Sequence, residues 1–281
     1  MLDELHSVVQ WASIFDHSLT TQDLMRFIQC PTTEEELEEV LLSHEGLTCE
    51  DGRWYIEESS HDPRSHAHRR ALASEHLHEV ESVLATLIHI DAVLALAITG
   101  SVAAGVNDED GDVDLLIIAA PGHTWRVRAL VIHLEHHSKG GKRLCPNMVL
   151  DVDELRLRPS LYAAREMAMM IPIHGVATIQ HLWAMNPWVN EMLPNARLKP
   201  LRRIGDDPGQ APWWWRWMRT PGLGRIIERW EASRRIRVLS RTSTSDEATY
   251  SRTRCIGHEH GHRARIEASM AELRATRRLD G

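Results

Sequence analysis

The sequence predicts an α+β protein in three parts, with helices near both ends of the chain and a small mixed sheet in the middle. Apolar positions recur at helical spacing in the N-terminal and C-terminal parts. The middle carries apolar runs at 92–99 and 113–120, which are too short for helices and are typical of buried strands. These observations divide the chain into an N-terminal unit over 1–60, a central α/β domain over 65–157 and a C-terminal helical region over 158–281.

The N-terminal unit has the pattern of three helices followed by a hairpin. The first helix has apolar residues on one face, and the second opens at Thr20. The third opens at a capping box, in which the side chains of Thr33 and Glu36 can each accept a backbone N–H of the other. Two β-like runs then flank Asp51-Gly52, which is a strong hairpin signal. Three helices and a hairpin of this length predict a winged helix-turn-helix.

The central domain alternates helices and strands. A long amphipathic helix with a histidine- and arginine-rich outer face is predicted over 65–90. The buried strands at 92–99 and 113–120 follow, then a helix over 123–137 and a third strand over 144–152. This order of strand, loop, strand, helix and strand is typical of an α/β domain.

The C-terminal region is predicted to be helical from Ser160 onward. Pro172 ends the first helix, because a proline in a helix interior removes a backbone donor. Two further helical stretches lead to an irregular segment over 196–222, which is rich in Pro, Gly, Trp and Arg. Two more helices, over 223–241 and 262–278, are predicted to close the chain.

Composition and charge exclude several classes of protein. Lys and Arg number 32 against 40 Asp and Glu, and the resulting net charge of −8 gives no global attraction to nucleic acid or an anionic membrane. No apolar run reaches the ~18–20 residues of a membrane span, and the N-terminus has no basic leader. The four cysteines are far apart and form no CxxC pair, which is typical of reduced thiols. These features predict a cytoplasmic protein.

Five acids lie between the first two central strands: Asp108, Glu109, Asp110, Asp112 and Asp114. The first three are predicted to lie in a solvated loop that separates the Gly100-Ser101 turn from the aspartate pair. Asp112 and Asp114 are separated by one apolar residue at the start of a strand, so the two-residue period places both carboxylates on one face. Two carboxylates this close repel each other unless a cation lies between them, and Mg²⁺ prefers oxygen ligands of this kind.

Gly100-Ser101 ends the preceding strand and begins a short predicted helix. Glycine lets a backbone approach a phosphate closely, and helical N–H groups with a serine hydroxyl can hold that phosphate. The sequence therefore predicts an anion site beside a dication site. Transfer of a phosphorus group requires this combination.

Gly100-Ser101, followed by Asp112-Val113-Asp114 and a hydrophobic run, resembles the signature of the polymerase-β-like nucleotidyltransferase superfamily. The resemblance implies an enzyme that moves an NMP from an NTP to an acceptor and releases pyrophosphate. It implies that Asp112 and Asp114 bind Mg²⁺, as two ions, and that Gly100 and Ser101 contact the triphosphate.

A wider likeness covers roughly residues 1–196 and includes the segments "LCPNMVLD" and "NPW". It is a likeness to a group of bacterial proteins that carry a winged helix ahead of such a domain. That group has no settled substrate. The acceptor therefore stays open between an RNA end, a protein hydroxyl and a small molecule.

The family pattern includes a third carboxylate on a later strand, which completes the metal site and can help to deprotonate the attacking hydroxyl. Asp151 is our candidate, because Leu150 and Val152 flank it as the pattern asks. If the strand ends earlier, Asn147 occupies that place instead. An amide ligates weakly and cannot act as a base, so the two alternatives differ in chemistry.

Other segments allow more than one interpretation. The third N-terminal helix carries five glutamates that phosphates would repel, so a protein contact or substrate positioning is favoured over DNA binding. The segment "WWWRW" at 213–217 can be buried, form an interface or stack bases, and burial or an interface is favoured. "HEHGH" at 258–262 lacks the ligand spacing of a zinc site. Arg126 and Arg128 are both candidates to face a triphosphate.

A second class of function fits the same sequence. In this alternative the protein is a winged-helix regulator whose transferase-like domain binds nucleotide without catalysis. The position of Asp151 discriminates between the two classes, because the enzyme needs that carboxylate within reach of Asp112 and Asp114.

Overall fold

The computed structural model describes residues 2–15, 17–43, 46–56, 63–205, 211–242 and 248–257. These residues form an α+β fold with one six-stranded mixed sheet and one three-stranded antiparallel sheet. None of the helices in this described part is long and apolar enough to cross a membrane.

The bounds of the elements are as follows. The helices are α1 (Leu2–Ser13), α2 (Thr21–Phe27), α3 (Glu34–Ser43), α4 (Pro63–Ile88), α5 (Gly100–Ala104), α6 (Thr124–His137), α7 (Leu161–Met169), α8 (Val176–Ala184), α9 (Trp188–Met192), α10 (Trp215–Met218) and α11 (Pro221–Thr242). The strands are β1 (Leu19–Thr20), β2 (Leu47–Glu50), β3 (Arg53–Ile56), β4 (Val93–Thr99), β5 (Val113–Ala119), β6 (Leu144–Asp151), β7 (Ile171–His174), β8 (Thr249–Tyr250) and β9 (Arg254–Ile256).

The three N-terminal helices and the hairpin form as predicted. The backbone N–H of Thr33 donates to Glu36 Oε2 at 2.9 Å, and the N–H of Glu36 donates to Thr33 Oγ1 at 3.2 Å, which is the predicted capping box. Asp51 and Gly52 both have positive φ and join β2 to the antiparallel β3. Strand β1 pairs with the other edge of β3 and completes the small sheet.

The large sheet has the order β7-β4-β5-β6-β9-β8. β5 and β6 are parallel, and the other neighbouring pairs are antiparallel. Because side chains alternate between faces, Leu115 and Ile117 pack with α4 and α6, whereas Leu116 and Ile118 join the core that α7, α8 and α9 form. Asp114 belongs to the second set by the same alternation and lies on the face that α7 covers.

The N-terminal helices pack against this second face of the sheet. Their apolar residues share one hydrophobic core with α7, α8 and α9. The guanidinium of buried Arg165 in α7 lies 4.3 Å from the ring centroid of Trp11 in α1, within the range of a cation–π contact. The N-terminal unit is therefore held beside the open end of β5.

The C-terminal region is not purely helical, which corrects the prediction for 158–281. It contributes β7, β8 and β9 to the large sheet, so that this sheet extends beyond residue 157. Pro172 lies inside β7, where an edge strand tolerates the missing N–H, and β8 and β9 are too short to show a period. The segment at 258–262 and the predicted helix at 262–278 lie outside the described residues.

Candidate active site

A cleft of about 1220 Å³ opens at the end of the large sheet where β5 begins. The end of α1, the Gly100-Ser101 turn, the acidic loop, the start of β6 and helix α7 surround it. Concave sites of this kind, with a few convergent polar groups, are where small-molecule ligands bind. The cleft is therefore the candidate active site.

Asp112, the residue before β5, and Asp114, its second residue, both border this cleft. Asp112 is exposed and Asp114 is partly buried. Burial raises the pKa of Asp112, and Arg143 opposes the rise. Burial raises the pKa of Asp114 to about 6, the Cys145 thiol opposes the rise, and Asp112 adds to it. The metal-free site thus disfavours two negative charges, and a cation would favour them.

Gly100 is required where it stands, for two separate reasons. Its φ of +66° lies in the left-handed region that residues with a side chain rarely adopt. A Cβ at this position would also lie 2.3 Å from Asp114 Oδ2, well inside van der Waals contact. The glycine therefore allows the Asp114 carboxylate to rest against the strand-to-helix turn.

Ser101 is tied to the acidic loop through Asn107, which sequence reasoning missed. The Ser101 hydroxyl donates to Asn107 Oδ1 at 3.0 Å, and the Asn107 amide donates to the backbone oxygen of Asp112 at 3.3 Å. The same amide nitrogen lies 2.8 Å from His76 Nδ1, and the Asn107 side chain is buried. Asparagine is common in loops for many reasons, so nothing in the sequence marked this one.

The remaining acids of the loop face solvent, as predicted. Asp108, Glu109 and Asp110 are all exposed, and Asp108 forms a 3.0 Å ion pair with Arg69. Arg143 holds the loop from the other side, because its Nη1 donates to the backbone oxygen of Glu109 at 2.8 Å. These contacts fix the loop without using the carboxylates of the pair at its end.

Asp151 does not lie with the aspartate pair, which corrects its assignment to the site. It pairs with Ala119 in the parallel register of β5 and β6, whereas the residue that pairs with Asp114 is Cys145. Five residues of strand separate Ala119 from Asp114, or about 17 Å. The buried Asp151 carboxylate accepts the N–H groups of Gly122 at 2.7 Å and Asp153 at 3.1 Å. It orders two turns at the opposite end of the sheet.

Replacing Asp151 with alanine is expected to lower the free energy of unfolding by about 2–3 kcal/mol, because two backbone N–H groups lose a charged acceptor. Chemical denaturation followed by circular dichroism measures this difference. Asp153→Ala, which removes the neighbouring acid but not the acceptor of either bond, is the matched control. Equal stability of Asp151→Ala and the wild type would contradict this structural role.

Asn147 is the alternative that borders the cleft. The register of β6 shifts between Cys145 and Met148, so Pro146 and Asn147 form an irregularity opposite the start of β5. The β6 residues beside Asp114 are therefore a thiol and an amide. In this described part of β6 the cleft receives no carboxylate.

Glu166 of α7 is the acid that the fold brings to the pair instead. It borders the same cleft as Gly100 and Asp114. Burial raises the pKa of Glu166 to about 7, Asp114 adds to the rise, and the backbone N–H of Gly100 opposes it. In the sequence Glu166 stands out only as the single acid in the apolar segment "LYAAREMAMMI". Its approach to Asp114 depends on tertiary packing, which the sequence pattern does not show.

The two candidate arginines have different surroundings. Arg126 is buried, forms a 3.3 Å ion pair with Glu228 and donates to the backbone oxygen of Gly122 at 2.7 Å. Arg128 borders the cleft, and its Nε atom has no hydrogen-bond partner within the described residues. Arg126 therefore has a structural role, and Arg128 is the one of the two that borders the cleft.

In the described part of the chain, no three His, Cys, Asp or Glu side chains are grouped so that they could hold a metal ion. The aspartate pair offers two carboxylates and leaves further ligands to come from elsewhere. Comparison of the chain with protein-family models, curated proteins and solved structures finds no match. Function is therefore inferred from the chemistry of the cleft.

Proposed function

We propose that the protein is a Mg²⁺-dependent nucleotidyltransferase, which moves an NMP from an NTP to an acceptor and releases pyrophosphate. The observation that carries the proposal is the pair Asp112 and Asp114, which lie at the start of β5 and border a cleft beside the Gly100 turn. The proposal includes two fold assignments: a nucleotidyltransferase domain around the six-stranded sheet, and a winged helix formed by α1–α3 and β1–β3.

The residues of the cleft have separate roles in this proposal. Asp112 and Asp114 bind Mg²⁺ through carboxylate oxygens, and phosphate oxygens and water complete its ligands. When bound, Mg²⁺ neutralises charge on the phosphates and aligns the attacking and leaving oxygens. Asn107 orients the Ser101 hydroxyl, which with Gly100 contacts the triphosphate. Arg128 offers a guanidinium to a phosphate oxygen.

We assign to Glu166 the role that sequence reasoning gave to Asp151. A carboxylate whose pKa is raised to about 7 can take a proton efficiently near neutral pH. In the proposed step Glu166 accepts the proton of the acceptor hydroxyl, whose oxygen bonds to the α-phosphorus while the bond to pyrophosphate breaks. Glu166 and Asp114 border the same cleft, which supports this role.

Glu166→Gln is expected to lower kcat for nucleotide transfer by about 10²-fold or more and to change KM for the NTP little, because the glutamine cannot accept the proton. Steady-state kinetics across pH measures the effect, and the variant should lose the acidic limb of the wild-type profile. Asp151→Asn, which removes a carboxylate far from the cleft, serves as the control. Wild-type kcat in Glu166→Gln would overturn the assignment of Glu166 alone.

The N-terminal unit is proposed to position the acceptor or to bind a protein partner. Trp11 of α1 and Phe15, just after α1, border the cleft. The glutamates of α3 are exposed, and five carboxylates would repel the phosphates of DNA. DNA binding through α3 is therefore not part of the proposal. The acceptor remains open between RNA, a protein hydroxyl and a small molecule, and the site of action is proposed to be the cytoplasm.

The alternative function is a regulator that binds nucleotide without catalysis. The absence of an acid from β6 within the cleft favours it, because Cys145 and Asn147 occupy the positions beside Asp114. In this alternative the protein binds NTP and Mg²⁺ but leaves the nucleotide intact.

Incubation with each of the four NTPs, labelled at the α-phosphate, tests the proposal. Mg²⁺ is supplied with pooled RNA, purified proteins or small hydroxyl compounds as acceptors. Transfer of label to one acceptor class, dependent on Mg²⁺, is the expected result. Tight binding of NTP with no consumption under any acceptor condition would contradict catalysis and favour the regulator.

Metal affinity is expected to depend on pH through Asp114. Its pKa of about 6 means that a proton occupies the carboxylate of the metal-free protein at lower pH. The cation must displace that proton, so the association constant for Mn²⁺ should fall about tenfold per pH unit below pH 6 and level off above it. Electron paramagnetic resonance of free Mn²⁺ measures this constant. An association constant that rises as the pH falls, or stays flat from pH 4.5 to 7.5, would be inconsistent with binding at Asp114.

A further inference from the structure

The segment that contains "WWWRW" and helix α11 present an exposed set of large apolar side chains. We call it the Trp–Arg surface, and it consists of Trp213, Trp217, Leu223, Ile226 and Trp230 together with the arginines between them. Trp213 is 74% exposed, Ile226 is 67% exposed and Trp230 is 61% exposed. Patches of large apolar side chains that are exposed to this extent are typical of binding surfaces.

The exposure follows from the way α11 packs. Its inner face lies against α6, where Glu228 accepts the backbone N–H groups of Trp125 and Arg126 at 2.9 Å each. Leu223, Ile226 and Trp230 recur at helical spacing on the outer face. The tryptophans of "WWWRW" divide in the same way: Trp215 is buried, whereas Trp213 and Trp217 face outward. Burial therefore accounts for only part of this segment.

The surface is strongly basic, although the whole chain has a net charge of −8. Residues 213–242 contain eight arginines and two glutamates, and no lysine or aspartate. Both glutamates, Glu228 and Glu231, are buried and paired with arginines. Glu231 offsets part of this charge, but the arginines of the segment outnumber its glutamates by six, so its exposed face carries net positive charge.

Arginines and aromatic rings alternate in space as well as in sequence. The Arg216 guanidinium lies 5.4 Å from the centroid of Trp217, and that of Arg234 lies 5.3 Å from the centroid of Trp230. Arg225 and Arg229 form no ion pair within the described residues and are exposed. Flat rings beside cations supply both contacts that a single nucleic-acid strand needs, stacking for its bases and charge for its phosphates.

The same helix connects this surface to the cleft. Leu239, near the end of α11, borders the cleft that contains Asp112 and Asp114. Trp230 lies nine residues before it, or about 14 Å along a helix. Nine residues make about two and a half turns, so Leu239 lies on the face of α11 opposite Trp230, and a strand bound on the Trp–Arg surface passes around the helix to bring one end toward the aspartates.

We propose that the Trp–Arg surface binds single-stranded nucleic acid and delivers its end to the cleft as the acceptor. The second part of this inference rests on the proposed nucleotidyltransferase function. A second copy of the chain is a poorer fit, because a twofold interface would bring two arginine-rich faces together. An anionic membrane would match the positive charge of the surface, but a membrane bound there would not place a reacting group in the cleft.

Fluorescence anisotropy with labelled single strands of RNA and of DNA, each about 16 nucleotides long, tests the surface. The full chain should bind at low salt, and affinity should fall steeply as NaCl rises from about 50 to 200 mM. Trp217→Ala/Trp230→Ala should weaken binding by at least about tenfold, because exposed rings lose their stacking contacts. Leu201→Ala, which removes an exposed apolar side chain outside the Trp–Arg surface and the N-terminal unit, should bind as the wild type does. The RNA and DNA arms decide which strand is preferred.

Three outcomes would overturn the inference: no salt-dependent binding of either strand, equal binding by the double tryptophan variant, or tighter binding to phosphatidylserine vesicles with the same tryptophan dependence. The proposed transferase function and the proposed strand-binding surface can each be refuted without the other. Label transfer to a protein or small molecule that persists in Trp217→Ala/Trp230→Ala would refute the surface as the acceptor site and leave the transferase intact. Strand binding without label transfer would refute the transferase and leave the surface intact.

Discussion

Replacement of Asp112 and Asp114 with asparagine should abolish Mn²⁺ binding by the metal-free protein and lower nucleotide transfer by at least about 10³-fold. Both carboxylates border the cleft, and within the described residues no third His, Cys, Asp or Glu side chain is grouped with them to hold a metal ion. The asparagines keep the shape of the site and remove its charge. Isothermal titration with Mn²⁺ and the label-transfer assay measure the two effects.

The loss should not come from unfolding. Burial raises the pKa of both aspartates, so the folded protein gains nothing from their charge. The melting temperature of Asp112→Asn/Asp114→Asn should therefore equal or exceed that of the wild type. Glu109→Gln/Asp110→Asn, which removes the same charge from the exposed part of the loop, should keep both metal binding and transfer. If Asp112→Asn/Asp114→Asn bound Mn²⁺ as tightly as the wild type, the assignment of the metal site would be wrong.

Gly100→Ala should lower both the stability of the protein and its affinity for the metal ion. The backbone at φ +66° disfavours a side chain, and the new Cβ would lie 2.3 Å from Asp114 Oδ2. Together these should lower the free energy of unfolding by about 2–3 kcal/mol. Because the Asp114 carboxylate must move away, Mn²⁺ affinity should also fall by about 10-fold or more. Thermal denaturation and Mn²⁺ titration separate the two effects.

Gly105→Ala is the matched control for this glycine. Its φ of +88° is equally unfavourable for a side chain, but a Cβ there has no atom within 4 Å. It should lose about 1 kcal/mol of stability and keep the affinity for Mn²⁺. Equal metal affinity in the two variants would show that the contact between Gly100 and Asp114 does not matter to the site.

The parts of the fold that local chemistry determines were predictable. Capping residues such as Thr33 and Glu36, and the Asp51-Gly52 turn, act within a few residues of themselves, so the N-terminal elements follow from the sequence. The buried strands β4 and β5 are recognisable because both of their faces are covered and their apolar runs are continuous. The two-residue period also predicted that Asp112 and Asp114 share a site, and both border the cleft.

The parts that depend on register and distant packing were not predictable. Asp151 and Asn147 lie on one strand, and the parallel register of β6 with β5 decides which of them borders the cleft. Glu166 reaches Asp114 from a helix on the opposite side of the cleft, and no spacing in the sequence encodes that approach. The short strands β7 and β9 join the large sheet through pairings with residues far away in sequence, and β8 then pairs locally with β9.

The position of label in the products tests the central claim most directly. The protein is incubated with Mg²⁺, an acceptor and NTP labelled either at the α-phosphate or at the γ-phosphate. Nucleotidyl transfer predicts that the α-label enters the acceptor and the γ-label appears only in pyrophosphate, with both products lost in Asp112→Asn/Asp114→Asn. Transfer of the γ-label to the acceptor, or α-label transfer that survives in that variant, would contradict the account.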